Sequence, residues 1–422
     1  MNWDTIRFGD LYAEDSRNGL TKPSKVRGSG FKMINMGELF ANDRIYDIPM
    51  ELVPLKESEK KSSKVEIGDL LFARQSLVLE GAGKCSIVME VSPLTVFESH
   101  IIRVRLNKKK ANPLFYYYYF KSPFSPVSSI VSQCAQAGIR GSELQELGVI
   151  YPDIQIQNKI AEILSKYDEF IENTQKRISL LEELNQRLYK EWFVNYRYPG
   201  HESDEIEDGI PKNWEKKRLG DVISYEIGGG WGEDSATGKN DIEGYVIRGT
   251  DFSGLYDGAI RTIPLRFHTE SNIKSRVLCH GDIVFEVSGG SRTEGVARTV
   301  RIDQLMLDRL GKKVICASFC KLIRPESDNI SQYLFDHLRY LRASKQTEEF
   351  DKRSASSIVN FRWKDFLEQR EVVIPDEATL HNYNAIAEKV YKEIVQLSIQ
   401  IETAKDFRDR LIPRLYMGEI EL

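Results

Sequence analysis

The chain has 422 residues, which is longer than one ordinary hydrophobic core, so two or three folded units are expected. Its net charge of −4 argues at first against a nucleic-acid partner. However, residues 1–152 hold 20 Lys+Arg against 17 Asp+Glu, residues 212–374 hold 26 against 24, and the remaining segments hold 13 against 22. The acidity therefore lies outside the two globular segments, each of which has a small positive excess.

The N-terminal residues show no basic start followed by an apolar stretch, and no window approaches the ~18 uninterrupted apolar residues of a membrane span. We therefore expect a cytoplasmic protein that does not enter a membrane. The cysteines are scattered and odd in number, which favours reduced, buried thiols over disulfides or a zinc site. They are Cys85, Cys134, Cys279, Cys316 and Cys320.

Short motifs recur in the same order in the two halves of the chain. The nine residues from Trp3 share four identities with the nine residues from Trp214, at an offset of 211. Gly68-Asp-Leu-Leu-Phe72 returns as Gly281-Asp-Ile-Val-Phe285 at an offset of 213, and the offset reaches 226 by Ile160. A steadily growing offset indicates a tandem duplication in which one copy gained residues in its loops.

Each copy starts with short β-branched runs that Gly, Asn, Asp and Pro interrupt, and this pattern predicts a mixed, mostly β domain. A helical patch follows in each copy, at residues 113–121 and 330–344. The predicted strand regions are residues 65–72, 95–106, 245–247 and 277–285.

A long helix is predicted after each domain, because apolar residues recur at steps that alternate between four and three. This spacing is typical of a coiled-coil seam, and two seams in one chain are expected to pair with each other. Asn185 and Arg408 place polar groups in the seams, which can fix the register of the pair. The predicted seam residues are Ile160, Leu164, Tyr167, Ile171, Thr174, Ile178, Leu181 and Leu188 in the first helix and Val390, Ile394, Leu397, Ile401, Ala404 and Leu411 in the second.

Further motifs lie at the ends of the two long helices. These are Pro152-Asp-Ile-Gln-Ile-Gln-Asn-Lys-Ile160, Tyr189-Lys-Glu-Trp192-Phe193-Val194 and Arg410-Leu-Ile-Pro413-Arg414-Leu415-Tyr-Met-Gly418. In this order and duplicated, the motifs resemble those of the DNA-specificity subunit of a Type I restriction-modification system, and the resemblance covers essentially the whole chain. The start of the second helix departs from the family pattern, because Pro375-Asp-Glu-Ala-Thr-Leu-His381 lacks the usual glutamine.

The resemblance implies an α+β fold built by tandem duplication of a mixed, mostly β target-recognition domain plus a long helix, with the two helices pairing as an antiparallel coiled coil. Each domain is expected to recognise one half of a bipartite, asymmetric DNA site, and the helices to set the gap between the halves. The expected segments are a first target-recognition domain at residues 1–152, a first conserved helix at 153–198, a linker at 199–211, a second target-recognition domain at 212–374, and a second conserved helix with the C-terminal tail at 375–422.

The resemblance also implies partners that carry out the chemistry. Such subunits assemble on double-stranded DNA with two adenine methyltransferase (M) subunits and, for cleavage, with restriction (R) subunits. S-adenosylmethionine is then expected in the methyltransferase partner, and ATP and Mg²⁺ in the restriction partner. The chain itself is expected to bind no cofactor directly and to have no enzymatic activity alone.

Two other interpretations remain open: a coiled-coil scaffold that binds only proteins, and a fused DNA methyltransferase or nuclease. Asn112-Pro113-Leu114-Phe115 differs at its third position from the Asn-Pro-Pro-Phe/Tyr tetrapeptide with which adenine methyltransferases hold a flipped base, so we expect a helix start there. The six histidines have no recognisable nucleophile beside them, and no catalytic or metal-binding residue is predicted.

Recognition of base edges needs Arg, Lys, Asn or Gln on segments that reach a DNA groove, whereas phosphate contacts use Lys, Arg, Ser and backbone N–H groups. Two equivalent loops, residues 74–76 and 286–292, supply such residues just after the matched strand, and they differ in sequence while the strands agree. This contrast favours two domains with one scaffold and two DNA targets. The predicted DNA-binding residues are Asn35, Arg74, Gln75, Ser76, Lys84, Arg140, Arg248, Ser288, Ser291, Arg292, Arg298, Lys352 and Arg353.

Overall fold

The computed structural model of the chain describes residues 3–133, 137–256, 260–289, 295–353 and 358–420, without the side chains of Gln133, Tyr256, Arg261 and Arg353. The chain divides into two compact units. One consists of Met1–Glu169 together with Lys405–Leu422, and the other consists of Phe170–Ala404. The first unit therefore combines N-terminal with C-terminal residues.

The first unit contains thirteen of the described strands and begins the first long helix. Its strands are β1 (Thr5–Arg7), β2 (Tyr12–Asn18), β3 (Phe31–Ile34), β4 (Arg44–Ile45), β5 (Glu51–Val53), β6 (Leu70–Ala73), β7 (Gln75–Ser76), β8 (Cys85–Val88), β9 (Val96–Phe97), β10 (Ile101–Leu106), β11 (Ser132–Gln133), β12 (Ala137–Gly138) and β13 (Gly148–Ile150). Its helices are α1 (Met36–Ala41), α2 (Glu57–Ser62), α3 (Pro113–Lys121), α4 (Gly141–Leu144) and the start of α5 (Ile154–Tyr189).

The core of the first unit lies against helix α3. The main sheet has the order β2-β10-β6-β8-β4, and the unit also has the sheets β5-β3-β9 and β11-β12-β7 and the pair β1-β13. Helix α3 starts as predicted, because the Asn112 side chain accepts hydrogen bonds from Leu114 N (2.9 Å) and Phe115 N (3.3 Å). Residues 115–120 are all buried, and Phe120 packs edge-on against Phe72 of the main sheet. This aromatic run therefore belongs to the core of the first unit.

The second unit contains a similar set of strands and helices. Its strands are β14 (Ile206–Glu207), β15 (Ile210–Pro211), β16 (Glu215–Arg218), β17 (Ile223–Gly228), β18 (Ile242–Ile247), β19 (Leu265–His268), β20 (Ile283–Glu286), β21 (Ser288–Gly289), β22 (Thr299–Arg301), β23 (Lys313–Cys316), β24 (Cys320–Pro325), β25 (Asp351–Arg353), β26 (Val359–Phe361) and β27 (Glu371–Ile374). Its helices are α6 (Phe252–Tyr256), α7 (Glu270–Arg276), α8 (Gln304–Leu310), α9 (Asp328–Ala343), α10 (Trp363–Gln369) and most of α11 (Glu377–Tyr416).

The strand order confirms the duplication. The main sheet of the second unit, β17-β24-β20-β22, matches β2-β10-β6-β8, and the sheet β19-β18-β23 matches β5-β3-β9. In both of these smaller sheets the last pair is parallel, β3 with β9 and β18 with β23. The sheet β21-β26-β25 matches β7-β12-β11, and the pair β16-β27 matches β1-β13. The offsets in the sequence therefore reflect equivalent strands of one repeated topology.

Helices α5 and α11 are antiparallel, as predicted. In the first unit, Arg408 Nη1 of α11 donates to Asp168 Oδ1 of α5 (2.5 Å). In the second unit, Arg177 Nη2 of α5 donates to Glu393 Oε1 of α11 (2.9 Å). The contacts move backwards along α11 as they move forwards along α5, which defines the antiparallel pairing. Every seventh residue of α5 is buried from 164 to 185, as a heptad seam requires, and a π turn at Lys190–Val194 ends that helix.

The repeated Gly-Asp-x-x-Phe motif forms the same ion pair in both units. Asp69 accepts hydrogen bonds from Nε and Nη2 of Arg105, both at 2.7 Å. Asp282 accepts from the same two atoms of Arg324, at 2.8 and 2.7 Å. The glycine before each aspartate has a positive φ, +93° at Gly68 and +85° at 281, which favours glycine over other residues. The motif therefore fixes the turn before the central strand of each main sheet.

Three of the predicted buried cysteines, Cys85, Cys316 and Cys320, are buried free thiols. The prediction is wrong for Cys279, which is exposed because it lies in the turn before β20. Along the described part of the chain, no helix combines the length and the apolar character needed to cross a membrane.

Candidate nucleic-acid interface

Each unit has a small three-stranded sheet. Its first strand, β7 or β21, is separated by a single residue from the central strand of the main sheet. In the second unit, Ser288 of β21 lies opposite Asn360 of β26, which lies opposite Lys352 of β25. Residues directly opposite on paired strands project from the same face of a sheet. Ser288 Oγ also donates to Asn360 Oδ1 (2.8 Å), which confirms that these two side chains share a face. The three residues form a row, and Asn360 and Lys352 are exposed.

The opposite face of β26 anchors this small sheet to the core of the second unit. Val359 and Phe361, on either side of Asn360, are both buried. The Phe361 ring lies 5.2 Å from the ring of Phe285 in the main sheet and 5.9 Å from that of Phe350. Because side chains alternate along a strand, burial of these two residues directs Asn360 to solvent. The polar row is thus held on a rigid apolar base.

The first unit has the corresponding row with different side chains. Gln75 of β7 lies opposite Gly138 of β12, which lies opposite Ser132 of β11. The row of the first unit therefore presents an amide and a hydroxyl group, with a glycine that has no side chain between them. The row of the second unit presents a hydroxyl, an amide and an ammonium group. The remaining predicted residue of β7, Ser76, is half-buried, and its Oγ accepts from Val78 N (3.2 Å).

Two arginines flank the row of the first unit. Arg74, between β6 and β7, is half-buried and donates from Nη1 to Ser99 O (3.3 Å). Arg140 follows β12, and its side chain is 77% exposed, with Nη1 3.7 Å from Glu143 Oε1. Of these two predicted residues, Arg140 is thus the one whose guanidinium faces solvent.

The structure adds residues that the sequence reasoning missed. Arg362 follows β26 as Arg140 follows β12, and its Nη1 donates to Asp365 Oδ2 (2.9 Å). The two arginines are 222 residues apart, between the offset of 213 at the Gly-Asp motif and that of 226 at Ile160, and this offset could have identified Arg362. Asn360 and Ser132 were missed because their strands contain only three and two residues, which is too short for a periodic signal.

Asn35 and Arg248, predicted as equivalent DNA contacts, occupy equivalent positions before a helix. Asn35 N donates to Glu38 Oε2 and Arg248 N donates to Asp251 Oδ2, both at 2.8 Å. The guanidinium of Arg248 is also paired with Asp251, through Nη2 to Oδ1 at 2.7 Å. This carboxylate raises the pKa of Arg248. Both residues thus cap a helical turn, and their contact with DNA stays a prediction.

Lys84 and Arg298 are likewise equivalent and hold partners within their own units. Lys84 Nζ donates to Phe40 O (2.6 Å) and lies 3.2 Å from Asp43 Oδ1. Arg298 makes a bidentate pair with buried Glu286, at 2.8 and 2.6 Å. These cations stabilise the loop between the small sheet and the next strand. Their contact with DNA also stays a prediction.

Three predicted DNA-binding residues have side chains outside the described part of the structure. Ser291 and Arg292 lie outside the described residues, and Arg353 is described only through its backbone in β25, opposite Val359. Lys352, the neighbour of Arg353, is exposed in the polar row.

A carboxylic acid and a histidine with shifted pKa values lie next to each other in the core of the second unit. Burial raises the pKa of Asp336 to about 6 and lowers the pKa of His337 to about 4. Asp336 accepts hydrogen bonds from Asn185 of α5 and Tyr383 of α11, and His337 Nδ1 lies 2.6 Å from the Tyr189 hydroxyl. These groups therefore join the long helices to α9. Among the described residues, no group of three or more His, Cys, Asp or Glu side chains is arranged to hold a metal ion.

Comparisons with known proteins relate the sequence and fold to one family. Residues 1–183 match the family described as Type I restriction modification DNA specificity domain. The Type I restriction enzyme MjaIX specificity subunit of Methanocaldococcus jannaschii is 24% identical over 439 residues, covering 100% of this chain and 94% of the relative. The EcoKI specificity subunit of Escherichia coli is 24% identical over 178 residues, covering 41% of this chain and 38% of the relative.

A solved structure shows the same fold. The S subunit of a Type I restriction-modification system from M. genitalium matches with a TM-score of 0.56 at 14% identity, over 98% of this chain and 96% of that chain. The predicted α+β architecture with two long helices is thereby confirmed.

Proposed function

We propose that this chain, which belongs to the family of Type I restriction-modification specificity subunits, recognises a bipartite DNA site by placing the small sheet of each unit against one half-site. The pairing of one scaffold with two different polar rows supports this proposal. Ser288, Asn360 and Lys352 occupy the positions that Gln75, Gly138 and Ser132 occupy in the first unit.

The size and chemistry of the rows suit base recognition. Three strands spaced ~4.8 Å apart give a row ~10 Å across, which fits a major groove ~12 Å wide. Asn and Gln side chains can make paired hydrogen bonds to adenine, and Lys can donate to the O6 and N7 atoms of guanine. Because the rows differ at every position, the two units would select different bases, which gives an asymmetric site.

The chemistry on DNA would belong to partner subunits. In this proposal two methyltransferase subunits bind S-adenosylmethionine and modify adenine, and restriction subunits use ATP and Mg²⁺ to cleave. The chain itself binds no cofactor directly, has no activity alone, and acts in the cytoplasm. The proposal that the chain has no activity alone is supported by Asp336 and His337. Their shifted pKa values arise from burial in the core, where their hydrogen bonds hold helices together.

Separate loss of the two half-sites tests this function. The full chain is assembled with its methyltransferase partner. Binding is then measured at several salt concentrations, on a duplex with the sequence that the complex methylates in cells. The double change Lys352→Ala and Asn360→Ala should weaken binding about 10- to 100-fold and abolish discrimination at one half-site only. Gln75→Ala should relax discrimination at the other half-site. Lys274→Ala, which removes an exposed lysine on α7, is the matched control and should retain both.

The alternatives give different results in the same experiments. A complex that binds DNA without discrimination, while the chain still binds its partners, would support the protein-binding scaffold. Transfer of methyl groups to DNA by the isolated chain would support a fused methyltransferase. Equal loss at both half-sites on changing one row would contradict the assignment of one half-site to each unit.

A further inference from the structure

The loop after β7 places three consecutive aliphatic side chains on the surface of the first unit. Leu77, Val78 and Leu79 are 89%, 60% and 46% exposed. Phe40 at the end of α1 is also exposed and lies beside the loop, with Cζ 3.2 Å from where a Cβ on Gly81 would stand. A contiguous exposed apolar patch of this kind usually marks a contact surface. We call Leu77, Val78, Leu79 and Phe40 the apolar tip.

The loop that carries the apolar tip is held by backbone hydrogen bonds. Gly81 N donates to Val78 O and Ala82 N donates to Leu79 O, both at 3.2 Å, and Gly83 N donates to Ala73 O of β6 (2.8 Å). A Cβ on Gly81 would lie 2.2 Å from Ser76 Oγ, so glycine allows the loop to fold closely over β7. The backbone of the loop is therefore ordered before any partner binds, which lowers the entropy cost of contact.

The position of the apolar tip indicates DNA as its partner. Leu77 is only two residues from Gln75, so the tip continues directly from the polar row proposed to contact bases. Glu80, the acidic residue of the loop, lines a pocket of about 530 Å³ together with Lys84 and Lys121. Both lysines pair with Asp43, which lines the same pocket.

The second copy has no equivalent of the apolar tip in its sequence. The corresponding segment reads Gly290-Ser-Arg-Thr-Glu294, which contains no large aliphatic residue. The loops of the two copies thus differ in kind, apolar in the first and charged in the second. A contact confined to one half-site is therefore expected.

We infer that Leu77 and Val78 of the apolar tip insert as an aliphatic wedge between stacked base pairs of the half-site bound by the first unit. Leu, Ile, Met and Phe side chains unstack a base step and kink the duplex in this way in proteins that bind the minor groove, and the tip would act similarly on a base step beside the row. The inference rests on the proposed function, since it requires the row containing Gln75 to lie on DNA. The kink would occur at one half-site only.

Base unstacking in duplexes that contain 2-aminopurine tests the wedge. With the full chain assembled with its methyltransferase partner, the fluorescence of 2-aminopurine at one step of the first half-site should rise on binding. The double variant Leu77→Ser and Val78→Ser should lose this rise and bind about tenfold more weakly, with an unchanged salt dependence, because apolar contacts release no counterions. Binding at the second half-site should be unaffected.

Two further variants separate the wedge from a general loss of apolar surface. The variant Leu77→Met and Val78→Ile keeps two large apolar side chains and should retain the fluorescence rise. Ile67→Ser removes an aliphatic side chain that is 56% exposed before β6, at the other end of that strand from the apolar tip. It should also leave the signal unchanged.

Each contrary result has a distinct meaning. An unchanged signal and affinity in the Ser variant would contradict the wedge while leaving the proposed function intact. Loss of the methyltransferase partner from the Ser variant would show that the tip contacts protein, which overturns the inference. Weaker binding on replacing thymine by uracil, without any fluorescence rise, would indicate contact with a thymine methyl group instead. Failure of the wild-type complex to select a bipartite duplex would contradict the proposed function itself, and the wedge with it.

Discussion

At the scale of single residues, the buried aspartates of the repeated motif explain why this motif occurs twice. Asp282 accepts two hydrogen bonds from Arg324 and a third from Cys279 N (2.7 Å). Asp69 accepts the equivalent set, with the third from Glu66 N (2.7 Å). The Asp282 carboxylate also raises the pKa of Arg324. Charge-assisted bidentate pairs are among the stronger polar interactions in proteins, and removing one partner leaves the other without compensation.

We predict that Asp282→Asn lowers the free energy of unfolding of the second unit by about 2–4 kcal/mol, because Arg324 loses its carboxylate partner. The measurement is urea unfolding, with hydrogen exchange to localise the loss to β20 and β24. Glu146→Gln, which removes an exposed partner of Arg7, is the control and should lower the free energy of unfolding much less, because solvent screens an exposed ion pair. Equal losses in the two variants would contradict this account.

At the scale of elements, the long and strongly patterned ones could be predicted from the sequence. Helix α3 spans Pro113–Lys121, the predicted range, because Asn112 caps its first turn and Pro113 fits the first helical position. The small sheets could not be predicted. Strands β7 and β21 have two residues each, and the partner of Ser288 is Asn360, which is distant in sequence. Only the tertiary fold brings such strands together, so Asn360 was missed, whereas the repeat offset could have identified Arg362.

A buried carboxylate links three helices of the second unit. Asp336 of α9 accepts hydrogen bonds from Asn185 of α5 (2.7 Å), from Gln332 of α9 (2.8 Å) and from Tyr383 of α11 (2.8 Å). Burial disfavours its charged form and raises its pKa from 3.8 to about 6. As the pH rises, Asp336 loses its proton near pH 4 in the unfolded chain but only near pH 6 in the folded one. The folded state therefore holds one extra proton between about pH 4 and 6. The contribution of Asp336 to stability is therefore greatest below pH 4 and is lost as the pH rises to about 6.

We predict that Asp336→Asn removes this pH dependence. Relative to wild type, the free energy of unfolding of the variant should rise by about 1.4 kcal/mol per pH unit between pH 4 and 6, and stay level above. His337 is present in both proteins, so its own titration cancels in the difference. Chemical unfolding at a series of pH values measures the effect. A flat difference for Asp336→Asn would refute the assignment.

At the scale of the whole molecule, the end of each long helix completes the core of the unit formed by the other copy. In the first unit, Trp3 Nε1 donates to Tyr416 O (2.8 Å), and the Tyr416 hydroxyl donates to Phe115 O (2.6 Å). In the second unit, the Phe193 ring lies 4.7 Å from that of Tyr333. The end of α11 thus packs in the first unit, and the end of α5 packs in the second. The side chains of the small sheets, by contrast, differ between the copies, so recognition can diverge while the scaffold is kept.

The central claim is that each unit recognises one half of a two-part DNA site. The most direct test is a map of methylated adenines in DNA from cells that contain this chain and its methyltransferase partner. We predict one asymmetric motif of two specified segments separated by unspecified bases. In cells with the Lys352→Ala and Asn360→Ala variant, the specified bases should change in one segment and stay the same in the other. A contiguous motif, or a change in both segments, would contradict the claim.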